Sequence, residues 1–264
     1  MRRWPIRLAI VGVFAALWSS PAVAQAADPH AALPERPSVA THAHTVAPGW
    51  VEVEFGFERA DIDDRFGYQA LPLALKLGLK PRVQLTVTTA VARPAGEDTT
   101  SFGAVGVAVK WRIAERVPVA GDVAIMPSLT MPTDSDDRAV GALLLIASRT
   151  LGPLTLDLNA GYARRRGDGM KAPTSESLWA AALGGPLGGR FGWVGELSGS
   201  PAASGPAGRP ATVNSLVGAT ANLSPSLVVD VAVRAPVFGP DSSAILTGAV
   251  WNVGRLWTRR PQLP

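Results

Sequence analysis

The 264-residue chain has no cysteine, which removes disulfides, thiol catalysis and cysteine-type zinc sites together. Charge is scarce as well. Asp, Glu, Lys and Arg make up 17% of the residues, against roughly 25% in soluble domains. Such a deficit requires a large core or a surface that does not face water. Histidine is limited to His30, His42 and His44. Beyond residue 26 no apolar run reaches the ~18 residues of a spanning helix, so any membrane must be crossed by strands. No basic cluster is interleaved with aromatics, and nucleic acid is therefore not an expected partner.

The N-terminus indicates the compartment. Arg2, Arg3 and Arg7 precede the apolar run Leu8 to Trp18, and Ser19, Ser20 and Pro21 lead into AVAQA. This is the layout of a secretory signal peptide over residues 1–26, cleaved after Ala24 or Ala26. The formal net charge of +4 less these three arginines leaves the mature chain near +1. Residues 27–49 carry four prolines and no hydrophobic period, which reads as an extended lead-in segment. Placed at a periplasmic mouth, it is expected to lie partly in a lumen as a small plug, with Arg36 pairing Glu52 or Glu54.

From Trp50 the pattern changes to period two. Val51, Val53, Phe55 and Phe57 share one face, and Glu52, Glu54, Gly56 and Glu58 the other. That alternation is a strand signal a helix cannot use. Leu71, Leu73, Leu75, Leu77 and Leu79 repeat it against Lys76, as do Val105, Val107, Val109, Trp111 and Ile113 against Lys110 and Arg112. With 83–91, 122–132, 139–151, 154–164, 177–183, 191–198, 212–223, 227–235 and 244–253, twelve strand candidates result. Alternation is poorest in 139–151 and 177–183, where Leu and Ala occupy both faces.

Most candidates approach the roughly 9–11 residues a tilted strand needs to cross a bilayer. KPR, LGP and SPS are tight connections, RRRGDGMKAPTS and GSPAASGPAGRPA long ones. AERVPVAG and GGPLGGR blur the short set. Short turns on one side and long loops on the other mark an outer-membrane barrel. In that orientation Trp111, Trp193 and Trp251 fall at periplasmic strand ends, and Tyr162 and Trp179 at the opposite ends, as two aromatic girdles would. The expected fold is all-β: an antiparallel transmembrane β-barrel of about 12 strands over residues 50–253. An N-terminal extended segment precedes it and a tail, 254–264, follows. A soluble sandwich is the alternative.

Ions isolated in hydrocarbon are costly, so the polar face should line a wet or mutually paired lumen. The candidate lumen residues are Glu52, Glu54, Glu58, Lys76, Lys110, Arg112, Asp157, Glu196, Asp230 and Arg234, with Asn159 beside them.

The run ERPSVATHAHTVAPGWVEVEFGFER resembles the opening of the MetA-pathway phenol-degradation family of barrel proteins. Arg36-Pro37, Thr45-Val46, Pro48-Gly49, Glu54 and Gly56 carry the likeness. LALKLGLKPRVQL, the strand from Phe102 to Lys110, PSLTMPT and SPSLVVDVAV follow the family's order over nearly all of the mature chain. The resemblance implies an outer-membrane barrel associated with catabolism of aromatic compounds, and it brings no reaction residues. LTGAVWNV has Gly248, Trp251 and Val253 at the spacing read by the barrel-assembly machinery. Leu246 and Val253 depart from the usual polar start and terminal aromatic, so the last strand ends near Val253 or at Trp257.

Enzymatic barrels commonly activate a serine or water through histidine, and here every histidine precedes the first strand. Carboxylate chemistry is left only Glu52, Glu54 and Glu58, which read as pore lining. His42 and His44 with Asp28 and His30 read as linker residues rather than a metal site. DSDD at 134–137 reads as a loop tip lacking the Gly and distal Glu of a calcium loop. GGPLGG lacks the Lys-Ser/Thr of a phosphate loop. No cofactor is expected. The expected function is a channel or transporter for small, aromatic or hydrophobic, organic molecules, with a closed barrel of structural or envelope-organising role as the alternative, and an enzyme is not expected. The partners expected are the outer-membrane bilayer, the assembly machinery and a small organic solute.

Overall fold

The computed structural model describes residues 28–60, 67–133, 139–167, 170 and 172–257. The expected signal peptide, the DSDD tip and the residues beyond Trp257 lie outside them. The described residues form thirteen strands. They are β1 (Trp50–Ala60), β2 (Tyr68–Lys80), β3 (Val83–Arg93), β4 (Ser101–Phe102), β5 (Val105–Val117), β6 (Gly121–Met131) and β7 (Val140–Leu151), followed by β8 (Leu154–Arg165), β9 (Ser175–Gly188), β10 (Phe191–Ser200), β11 (Thr212–Ser224), β12 (Leu227–Phe238) and β13 (Ala244–Arg255).

Twelve of these make an antiparallel wall, each long strand pairing with the next. The wall closes where β1 pairs with β13, Phe55 opposite Ala249 and Gly56 opposite Gly248. Closure leaves no open edge, and it excludes the sandwich. The short β4 is an appendage on β3, through Val91 and Phe102.

Burial is inverted relative to a soluble protein. Lys76, Lys110, Gln84, Glu52 and Asn252 are among the fully buried side chains, while Leu71, Leu73, Leu75, Val109, Val231 and Val233 stand exposed outside. Period two puts alternate residues on opposite faces, so the apolar set forms the outer band and the polar set points inward. Trp111 pairs with Val83 and Trp251 with Leu227, each beside a short turn. Tyr162 and Trp179 lie toward the opposite rim, opposite Ser177 and Ala160 respectively.

Two connections are shorter than their sequence suggests. Most of GGPLGGR belongs to β9, leaving Gly189 and Arg190 as the turn. Glycine carries no alternation signal, yet Gly185 pairs with Trp193, and a bulge at Leu187 accommodates Pro186 opposite Gly192. AERVPVAG likewise contracts to residues 118–120, because Arg116 and Val119 take φ of 54° and 71°, conformations these residue types seldom signal. The last strand runs to Arg255, two residues past the expected Val253. Val253 is bulged out between Asn252 and Gly254, which face Glu52 and Val51.

Candidate functional site: the lumen and the lead-in

A chain segment without secondary structure must satisfy its backbone groups by other means when it is enclosed. Residues 28–49 do so with the barrel's inner wall. They enter at the short-turn end, where Ala32 N donates to Pro225 O and the Asn252 amide donates to Pro29 O and Ala31 O. The ring of His30 lies 4.9 Å from that of Trp50. The segment then rises along β1, with Leu33 N donating to Glu52 Oε2 at 2.6 Å and Glu35 N to Glu54 Oε1 at 2.9 Å.

From there it passes round the interior. Ala40 N donates to Glu196 on β10 at 2.8 Å. Thr41 exchanges two hydrogen bonds with the Asn159 amide on β8, at 2.8 and 2.9 Å. Ala43 N donates to Ser148 Oγ on β7 and Val46 N to Gln84 Oε1 on β3. Gly49 N then reaches Gly78 O on β2. The segment thus makes one circuit of the wall and returns to the start of β1. Alanine suits this path: Ala43 packs with Ala124 and Ile146, and Ala40 with Ala180 and Ala182.

Arg36 departs from its expected pairing. Its Nε lies 3.5 Å from Asp230 on β12, and Nη2 donates to Thr247 O. Glu52 and Glu54 are engaged instead by Lys76 Nζ, at 3.2 Å for Glu52. The guanidinium fits against the paired glycines Gly56 and Gly248, where a Cβ on either would collide with it.

Glu35, which the sequence did not single out, is the centre of the charge network. Its carboxylate meets Lys76 Nζ at 3.0 Å and also contacts Lys110 Nζ and the Thr41 hydroxyl. Burial opposes its ionisation, but the adjacent Lys110 and Lys76 ammonium groups hold it well below the usual carboxylate range. His42 faces Leu33 O at 3.3 Å, bracing the two limbs of the segment. Burial, then Lys110, pushes its imidazole down to about 3.

The other candidates sit apart. Glu58 binds Arg234 at 2.8 Å toward the long-loop end. Arg112 contacts Asp122 at 3.4 Å, Glu115 at 3.0 Å and His44 near the turns. Asp157 accepts from Ser148 Oγ. Two cavities border the segment. One of about 360 Å³ opens on the long-loop side against β1–β3 and β5–β7, lined partly by Thr88, Thr130, Met126 and Leu144. One of about 140 Å³ lies nearer the turns, against β8–β11. Both are lined by Glu35, Arg36, Ser38 and Ala40, so this stretch of chain is the partition between them.

This closed wall is shared with solved structures. The COG4313 outer membrane channel from Pseudomonas putida F1 superposes with a TM-score of 0.59 at 12% identity, over 79% of this chain and 97% of that one. The NanC porin gives 0.51 at 9% identity, over 77% and 100%. The KdgM porin gives 0.50 at 10%, over 76% and 98%. The fold is that of outer-membrane channels and porins. No protein-family profile and no curated protein matches the sequence.

Proposed function

We propose that this protein is an outer-membrane channel for small organic molecules, closed at rest by residues 28–49. The observation that carries the reading is the partition: one chain thickness, from Glu35 to Ala40, separates a cavity on the loop side from one on the turn side. The segment adheres mainly through hydrogen bonds to wall side chains and forms no strand ladder, so it can leave without opening the wall. In this reading residues 1–26 are a cleaved export signal, the barrel-assembly machinery inserts the barrel, and the ten inward charged residues line the path. The sequence resemblance to the MetA-pathway phenol-degradation family, with the channel-like fold, supports aromatic compounds as the solute class. Catalysis fits poorly, since the neighbouring carboxylates Glu52 and Glu54 are tied to Lys76 and to lead-in amides.

Single-channel recording of the refolded exported chain tests this, with and without phenol. The intact protein should conduct little at rest, and deletion of residues 28–44 should raise conductance severalfold. A deletion variant that folds and stays silent would establish the second reading, a closed structural barrel. The complete circuit of contacts inside the wall is the feature that favours that alternative.

A further inference from the structure

Two lysines behind the Glu35 and Thr41 floor of the loop-side cavity are partnered unequally. Lys76 and Lys110 flank β3, Lys76 opposite Thr86 and Lys110 opposite Gln84. Both are fully buried. Lys76 is held by Glu52 and Glu54, which are wall residues on β1. Among the described residues Lys110 has no wall carboxylate. Its Nζ contacts the Glu35 carboxylate, Thr41 Oγ at 2.8 Å and His42 O at 2.9 Å, all on the lead-in. An enclosed ammonium without a partner is costly. When the lead-in leaves, Lys76 keeps its counter-ions and Lys110 keeps none.

The arrangement around Glu35 is a receptor for a carboxylate. The group accepts from the Lys110 ammonium and the Thr41 hydroxyl and pairs with the Lys76 ammonium, and hydrogen bonds of the charge-assisted type are roughly twice as strong as neutral ones. Both ammonium groups belong to the wall. The Glu35 side chain is 18% exposed and borders the cavity of about 360 Å³, a size ordinary for a small-molecule site. Met126 and Leu144 offer that cavity apolar surface, and Thr88 and Thr130 offer hydroxyls. A solute there would set its carboxylate on the floor and its hydrocarbon body against these walls.

We propose that Lys110 and Lys76 form a binding site for the carboxylate of a small organic acid. Glu35 occupies the site at rest, and the acid exchanges with Glu35 and releases the lead-in. The exchange swaps one carboxylate for another and needs no proton. The release rests on the channel reading, whereas the binding does not.

Calorimetric titration of the folded exported chain in detergent, near neutral pH, separates the two. Benzoate should bind saturably, and the neutral benzyl alcohol far more weakly. Glu35→Gln removes the internal competitor and should tighten benzoate on the order of tenfold. Lys110→Met should abolish binding and Lys110→Arg retain it, with folding checked by the mobility change on boiling. Equal binding of the two probes, undiminished binding by Lys110→Met, or weaker binding by Glu35→Gln would overturn the proposal. If Lys110→Met does not fold, amide exchange in the native chain decides. Benzoate must then speed exchange at Glu35 and Thr41 while benzyl alcohol does not. Binding as expected, with no current from any variant including the 28–44 deletion, would remove the channel and leave the site.

Discussion

The wall and the lead-in are built from the same chain by opposite means. In the wall, backbone pairs with backbone around a closed ring, and side chains are free to face lipid or lumen. In the lead-in, backbone amides depend on side chains from strands far away in sequence, such as Asn159 for Thr41 and Glu196 for Ala40. Ladder bonds persist unless the sheet opens, whereas each lead-in bond to a wall side chain can be removed by one substitution. On the proposed reading the barrel is a frame holding a detachable insert, and perturbations should divide along that line.

The largest effect is expected in the wall. Val107 lies in an outward row with Val87 and Leu129, and Ala108 in an inward row with Thr86 and Ser128. Arginine on the lipid face near the midplane costs about 2–4 kcal/mol, so Val107→Arg should destabilise the fold by that amount in denaturant titrations from lipid. Ala108→Gln should change stability by less than about 1 kcal/mol. Equal losses would mean that both faces are packed, and the two-region distinction would collapse.

Next is an insertion confined to the lead-in. Ala43 is fully buried against Ala124 and Ile146, and overpacking such a position costs roughly 1–3 kcal/mol. Ala43→Leu should speed amide exchange at Leu33, Ala40, Thr41 and Val46 while the denaturation midpoint of the wall holds. A shifted midpoint would show that the insert supports the frame. Asn159→Ala should act more weakly. It strands one donor and one acceptor of Thr41, worth about 1–3 kcal/mol when buried and less if water enters. The expected readout is faster exchange centred on Thr41 with little change at Val46.

The same division explains what the sequence revealed. Alternation in WVEVEFGFER or AVGVAVKWRI reports a backbone whose faces meet different surroundings, and it placed the strands. Gly184, Gly185 and Gly188 had no side chains with which to report. Glu35 was hidden because the lead-in has no period and its partners come from β2 and β5, which no local pattern connects to it. For Arg36, nearness in sequence favoured Glu52 and Glu54. Lys76 arrives from the next strand to claim both, and the arginine is left to Asp230 across the closure.

The smallest effect is one of pH. His42 titrates ordinarily at 6.5 and is pushed to about 3 by burial, with Lys110 next and Lys76 and His44 adding to the fall against the opposing pull of Glu35. The released imidazole thus takes up a proton that the docked one refuses. Docking is at full strength above about 6.5 and weakens as pH falls toward 3. One unit below 6.5 the loss is about 1 kcal/mol. Glu35 adds to it with the same sign. Its docked carboxyl is held well below 4.5, so below 4.5 the released form again binds more protons. Amide exchange at Ala40 and Thr41 should therefore accelerate between neutral pH and pH 5.5, after correction for intrinsic rates, while the wall amides stay protected. His42→Gln should reduce that dependence down to about pH 5, leaving the share of His44, which burial also lowers, and the steeper fall below 4.5, which belongs to Glu35. Protection that rises on acidification would contradict the sign for both groups. An unchanged slope in His42→Gln would move the cause to His44, whose imidazole burial also pushes below its usual value.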